Sequence, residues 1–161
     1  GDMLPGGSLL EFIEVEGNGC SLGPNSFDIA QATAGKKIAI FALPGAFTPT
    51  CSAQHVPGYV AQADALRAAG VDEIWCVSVN DAFVMGAWGK AQNAEELLML
   101  ADGNAELSKA LGLTLDGSGF GLGLRSQRFA MVVDNGVVTH LAVEAGAGLD
   151  VSAAEKILAL L

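Results

Sequence analysis

The stretch Ala42-Leu-Pro-Gly-Ala-Phe-Thr-Pro-Thr-Cys51-Ser-Ala-Gln-His-Val-Pro57 decides how the chain is read. It follows directly from Ile38-Ala-Ile-Phe-Ala42, a short apolar run of the kind buried on both faces of a central strand. Pro44 and Gly45 end that strand. A helix is expected to begin between Thr48 and Cys51. Pro57 should kink or restart it, and it should run through Ala69 to a stop at Gly70. A cysteine is thereby placed in the first turn of a helix, where unpaired backbone N–H groups and the positive end of the helix dipole favour an anionic sulfur. Thr48, three residues before the cysteine, could reach that sulfur or an oxygen bound to it. Pro44 brings a rigid apolar ring without an N–H, which helps keep water from the sulfur.

Working outward, Leu9–Val15 alternates loosely and is expected as an early strand, with Gly17–Asn25 a turn-rich loop. Glu73–Val79 is the next strand. Ala82–Gln92 is expected to be helical with Asp81 as its N-cap. A short strand at Leu97–Leu100 and a short helix at Ala105–Leu111 follow. Phe129–Val133 and Val137–Val143 flank Asp134-Asn-Gly136, a strong hairpin signal. Ser152-Ala-Ala-Glu155 has the spacing of a capping box for a last helix. The order β, β, α, β, α, β, α, β-hairpin, α fits an α/β fold, a thioredoxin-like sandwich with a central mixed sheet flanked by helices. A single domain is expected over residues 1–161.

The charge balance narrows the function. Eighteen acidic residues oppose eight basic ones, for a net charge of −10. Such a field repels phosphate backbones, and no Lys/Arg cluster overrides it, so neither nucleic acid nor an anionic membrane is an expected partner. No apolar run approaches the ~20 residues needed to span a bilayer, and residues 1–7 show no basic-then-apolar leader. The three cysteines, Cys20, Cys51 and Cys76, include no CxxC pair and cannot all pair with one another. Reduced thiols in the cytoplasm are the expectation.

The central stretch resembles the peroxiredoxin signature P-x-x-x-T-x-x-C, filled here by Pro44, Thr48 and Cys51. Pro-Gly-Ala-Phe-Thr-Pro-Thr-Cys-Ser and His-Val-Pro-Gly are similar to the peroxiredoxin 5 (type II) branch in particular. The resemblance continues through Cys76-Val-Ser-Val-Asn-Asp-Ala-Phe-Val-Met-Gly-Ala-Trp-Gly89 and Arg128-Phe-Ala-Met-Val-Val-Asp-Asn-Gly-Val-Val138. It implies a thiol peroxidase acting on hydrogen peroxide and alkyl hydroperoxides. Cys51 would be the attacking nucleophile, with Arg128, at the start of a late strand, completing the site alongside Thr48 and Pro44. It further implies a homodimer built from loops around the site, with Phe47, Phe83 or Trp88 on an exposed apolar rim. The region matching a C-terminal resolving cysteine in some relatives, Gly146–Ser152, contains none. A one-Cys cycle with an external thiol reductant is therefore expected, glutathione with glutaredoxin or else thioredoxin.

Other readings stand beside these. Arg125 competes with Arg128 for the site. His55 lies four residues after Cys51 and would share its helical face, either as a pocket-lining residue or as the base of a Cys–His hydrolase. A non-catalytic thioredoxin-like interaction module is the third alternative. Cys76, inside an apolar strand, reads as a buried core thiol, and His140 as a structural side chain. Cys20 lies in a small-residue loop with nothing to bring it to the site. No cofactor and no metal are expected. Cys51 and His55 lack a second ligand pair at zinc spacing, and Gly117–Gly123, read as a flexible loop, misses the dinucleotide-binding pattern.

Overall fold

The computed structural model of the chain describes residues 1–12, 24–146 and 148–161. The first strands, β1 (Ser8–Phe12) and β2 (Pro24–Asp28), pair antiparallel and lead into a short helix, α1 (Ile29–Thr33). Next come β3 (Lys37–Leu43) and helix α2 (Val56–Ala68), then β4 (Glu73–Ser78), α3 (Ala82–Ala91), β5 (Leu98–Ala101) and α4 (Glu106–Leu111). A small hairpin, β6 (Thr114–Asp116) and β7 (Leu124–Ser126), precedes β8 (Phe129–Asp134), β9 (Val137–Val143) and α5 (Ala154–Leu158). Seven strands form one mixed sheet in the order β2-β1-β5-β4-β3-β8-β9. The inner pairs β3–β4 and β4–β5 are parallel, while β8 joins β3 antiparallel. This is the thioredoxin-like arrangement.

Burial explains why the inner strands read as apolar runs without alternation. Along β3 every residue from Ile38 to Leu43 is buried. Ala39, Phe41 and Leu43 share a core with Tyr59, Trp88 and Ile157 of α2, α3 and α5. Ile38, Ile40 and Ala42 pack with Ile29 and Leu107 of α1 and α4 on the other face. Both faces of the sheet are thus covered, as parallel strands require. Gly89 lets α3 lie close on β5, because a Cβ there would come within 2.8 Å of the Met99 side chain.

Local signals are met at several points. Asp81 Oδ1 accepts from Val84 N at 2.8 Å and caps α3. Asp134 pairs with Val137, and Asn135 and Gly136 take φ of 50° and 80°, the left-handed pair of a type I′ turn.

Other expectations are corrected. Pro24 and Asn25 belong to β2, not to a loop. Gly117–Gly123 is a loop as expected, but it joins two short strands, β6 and β7, that were not expected, and its ends are tied by a 2.7 Å bond from Gly117 N to Gly123 O. The Ser152–Glu155 capping box does not form. Ala153 stands at the N-cap of α5, and Ser152 turns its hydroxyl to Glu144 Oε2 at 2.6 Å. Trp88 is fully buried, so the expected apolar rim keeps only Phe47 and Phe83, at 57% and 53% exposure. Cys20, most of the expected loop before Asn25 and the last residues of the expected first strand lie outside the described residues. Among the described residues no helix is long and apolar enough to cross a membrane.

Candidate active site

The helix after β3 starts earlier than α2 itself. Residues 49 and 50 are already helical, and the first bond of the helix runs from Ser52 N to Thr48 O at 2.9 Å. Cys51–His55 then widens into a π-type turn, in which Val56 N–H bonds back to Cys51 O. Pro57 gives the physical reason. It has no N–H for a regular bond, and its ring crowds the carbonyl four residues back, so the preceding turn takes up an extra residue. The expected disturbance at Pro57 is therefore a bulge in a continuing helix. Its two ends are Cys51 and His55, both 1% exposed.

Arg128 reaches this turn from across the sheet. Ala42 pairs with Phe129 in the antiparallel register of β3 and β8, which sets Arg128 beside the chain's exit from β3. The guanidinium donates from Nη2 to Cys51 Sγ at 3.2 Å and from Nη1 to His55 Nδ1 at 2.9 Å. Its Nε is buried and has no hydrogen-bond partner among the described residues. A buried donor left without a partner costs on the order of 1–3 kcal/mol. Pro44, Gln127, Arg128, Glu144 and Gly146 are among the residues that line a cavity of about 230 Å³; Cys51 and Thr48 are not part of its lining.

Thr48 donates its hydroxyl to Gly45 O at 2.6 Å, which leaves the oxygen's lone pairs as acceptors. Arg125, the rival cation, is committed elsewhere: Nη1 donates to Val79 O and Nε to Leu122 O, each at 2.9 Å. Its Nη1 lies close to Gly45, where an added Cβ would stand 3.4 Å away. Arg125 therefore ties the Val79 and Leu122 carbonyls together beside Gly45, while Arg128 touches the sulfur.

His55 is engaged at both ring nitrogens. Nδ1 faces Arg128, and Nε2 lies 3.2 Å from Ser152 O, which also accepts from Tyr59 Oη at 2.8 Å. Burial first, and the Arg128 charge second, lower its pKa to about 3, so the ring is neutral. It is not free to take a proton from Cys51, which removes the geometry a Cys–His hydrolase needs.

Cys76 is fully buried in β4, opposite Phe41, and burial together with the nearby Cys51 pushes its thiol pKa well up. Such a thiol is inert. Among the described residues no group of three or more His, Cys, Asp or Glu is placed to hold a metal. The sequence did not reveal the link from Arg128 to His55, nor the part played by Glu144. The first joins residues 73 positions apart and the second links residues six to eight positions apart across a turn, and the only local signal was the spacing of four from Cys51 to His55.

Fold and site together define a thiol enzyme of thioredoxin-like architecture. The redoxin family model matches residues 3–158. Peroxiredoxin-2D of Arabidopsis thaliana is 46% identical over 98% of this chain and 94% of its own length. The crystal structure of reduced Prx3 from Vibrio vulnificus in complex with hydrogen peroxide superposes with a TM-score of 0.92 at 56% identity, covering 99% of this chain and 96% of that one. A Burkholderia cenocepacia protein, provisionally described as a thioredoxin reductase, matches with a TM-score of 0.95 at 60% identity over 100% of this chain and 96% of its own. The chain belongs to the redoxin family and is a peroxiredoxin, a thiol peroxidase.

Proposed function

We propose that Cys51 is the peroxidatic nucleophile and that Arg128, Thr48 and Pro44 form the pocket that presents a peroxide to it. The observation that carries this reading is the 3.2 Å contact of Arg128 Nη2 with Cys51 Sγ, beside an Nε–H that is unpartnered among the described residues. In the reaction the Cys51 thiolate attacks one peroxide oxygen. An S–O bond forms, the O–O bond breaks, sulfur gives up two electrons, and the departing oxide takes a proton to leave as water or an alcohol. Negative charge grows on the departing oxygen, so donors fixed beforehand bind the transition state more strongly than the substrate. Arg128 supplies such donors. Thr48, its own proton committed to Gly45, accepts the O–H of the bound peroxide and orients it. The Pro44 ring walls the cavity.

The hydrogen peroxide in the Vibrio vulnificus structure supports that substrate here. Alkyl hydroperoxides fit the same reading, since the cavity side includes Leu115, Ala145 and Pro44. With Cys76 sealed in the core, the sulfenic acid is released by an external thiol. This thiol condenses with it to a mixed disulfide and water, and a second thiol then frees Cys51. Glutathione with glutaredoxin is the proposed donor, with thioredoxin the alternative, and a reducing cytoplasm the proposed setting. Phe47, exposed and held at φ 61°, and Phe83 are the proposed contacts of a homodimer. Sedimentation at micromolar concentration that finds only monomer contradicts the dimer.

Stopped-flow tryptophan fluorescence tests the reading. Trp88 Nε1 donates to Ser52 Oγ at 3.0 Å, one residue from the sulfur, and so reports on the site. A fast change with hydrogen peroxide, absent in Cys51→Ser, supports it. An undiminished response in Cys51→Ser refutes it.

A further inference from the structure

Ser152, Glu144, His55 and Arg128 form a closed circuit of hydrogen bonds that reaches the sulfur through Arg128. Glu144 Oε2 accepts from Ser152 N at 2.9 Å, from Ser152 Oγ at 2.6 Å and from Asp150 N at 2.8 Å, while Oε1 accepts from Val151 N at 3.2 Å. These bonds outweigh partial burial and hold the Glu144 carboxyl below its ordinary pKa, so it is charged and fixes the turn. The turn aims Ser152 O at His55 Nε2, and the backbone of Glu144 returns to Arg128 O at 3.0 Å.

The chemistry of the two ends dictates the state of the ring between them. A carbonyl oxygen can only accept, so Nε2 must carry the hydrogen. A guanidinium can only donate, so Nδ1 must be bare. The imidazole is neutral in one tautomer, packed beside the stacked rings of Phe41 and Tyr59 with centroids 4.8 and 5.6 Å away. Its bare nitrogen is the side-chain acceptor that fixes Nη1 of Arg128, leaving Nη2 on the sulfur.

We propose that His55 is a positioning residue for peroxide reduction: held as its Nε2–H tautomer by the Ser152 carbonyl, it aims the Arg128 fork at Cys51. Removal of the acceptor would leave a flexible arginine with a second unpaired donor in the interior. The fork then has no single geometry in which to meet the transition state. The inference rests on the proposed role of Arg128 at Cys51.

The test compares His55→Asn, His55→Leu and Arg128→Lys by the second-order rate with hydrogen peroxide, with thermal melts as the check of folding. Asn puts an amide oxygen close to where Nδ1 stands and should stay within about threefold of wild type, whereas Leu should lose roughly tenfold or more. ¹⁵N spectra of native protein labelled at histidine should show a bare Nδ1 and a protonated Nε2 on His55. A folded His55→Leu at the wild-type rate overturns the inference, as does a protonated Nδ1. If the leucine variant does not fold, the tautomer in the native protein decides. An Arg128→Lys variant at the wild-type rate removes the underlying reading as well, whereas a slow Arg128→Lys beside a fast His55→Leu removes only the role of His55.

Discussion

Arg128 and Cys51 stand 77 positions apart, yet Arg128 Nη2 lies 3.2 Å from the sulfur. The contact follows from the register of β3 and β8, which brings the start of β8 beside the exit of β3, and from the helix that begins a few residues beyond that exit. Replacing Arg128 by Met should slow peroxide attack by roughly 10²-fold, the scale seen when one fixed oxyanion donor is lost. Arg125→Ala should loosen the loop at Val79 and Leu122 and cost less than about tenfold. The two rates, measured side by side with hydrogen peroxide, check the assignment. A larger loss in Arg125→Ala would reverse it.

The two core thiols should separate just as cleanly. Cys76→Ala is expected to keep the rate of peroxide reduction within about threefold. Its cost should appear in stability instead, about 1–2 kcal/mol from a small cavity beside Phe41. Urea titration and steady-state peroxide consumption on the same sample measure both.

His55 also makes a prediction about acid. In the folded chain its pKa falls from the ordinary 6.5 to about 3, while the unfolded chain keeps the ordinary value. Between those values the unfolded state binds the extra proton, so stability is complete above pH 6.5 and declines as pH drops toward about 3. The slope is at most about 1.4 kcal/mol per pH unit. Glu144 works in the same direction, since its lowered carboxyl pKa adds stability that is lost on acidification below the ordinary carboxylate range. Urea melts of wild type and His55→Asn should diverge first on the shallow acidic side of 6.5, with the variant flatter. Parallel curves contradict the assignment of that limb to His55.

The sequence made the centre of this molecule legible because its signals there are local. An apolar run followed by Pro44, Thr48 and Cys51 needs only neighbouring residues to be read, as do the Asp81 cap and the Asn135-Gly136 turn. What escaped was tertiary. Ser152 has capping-box spacing to Glu155, but Glu144, eight residues upstream, offers a charged acceptor and takes its hydroxyl. Trp88 looks like a rim residue on a short apolar helix until Ser52 is seen to hold its indole N–H. The strands β2, β6 and β7 are too short and too rich in polar or glycine neighbours to carry a period. The pairing of His55 with Arg128 spans 73 positions, and no spacing rule reaches that far.

The claim on which the rest depends is that peroxide oxidises Cys51, and that no other thiol of the chain then closes on it. Reduced protein should be mixed with one equivalent of hydrogen peroxide, trapped with dimedone, and mapped by peptide mass spectrometry, with a parallel sample given glutathione in place of dimedone. The account predicts a dimedone adduct on Cys51 alone and a glutathione disulfide on the same residue. Unmodified Cys51, or a rapid disulfide from Cys51 to Cys76 or Cys20, would contradict it.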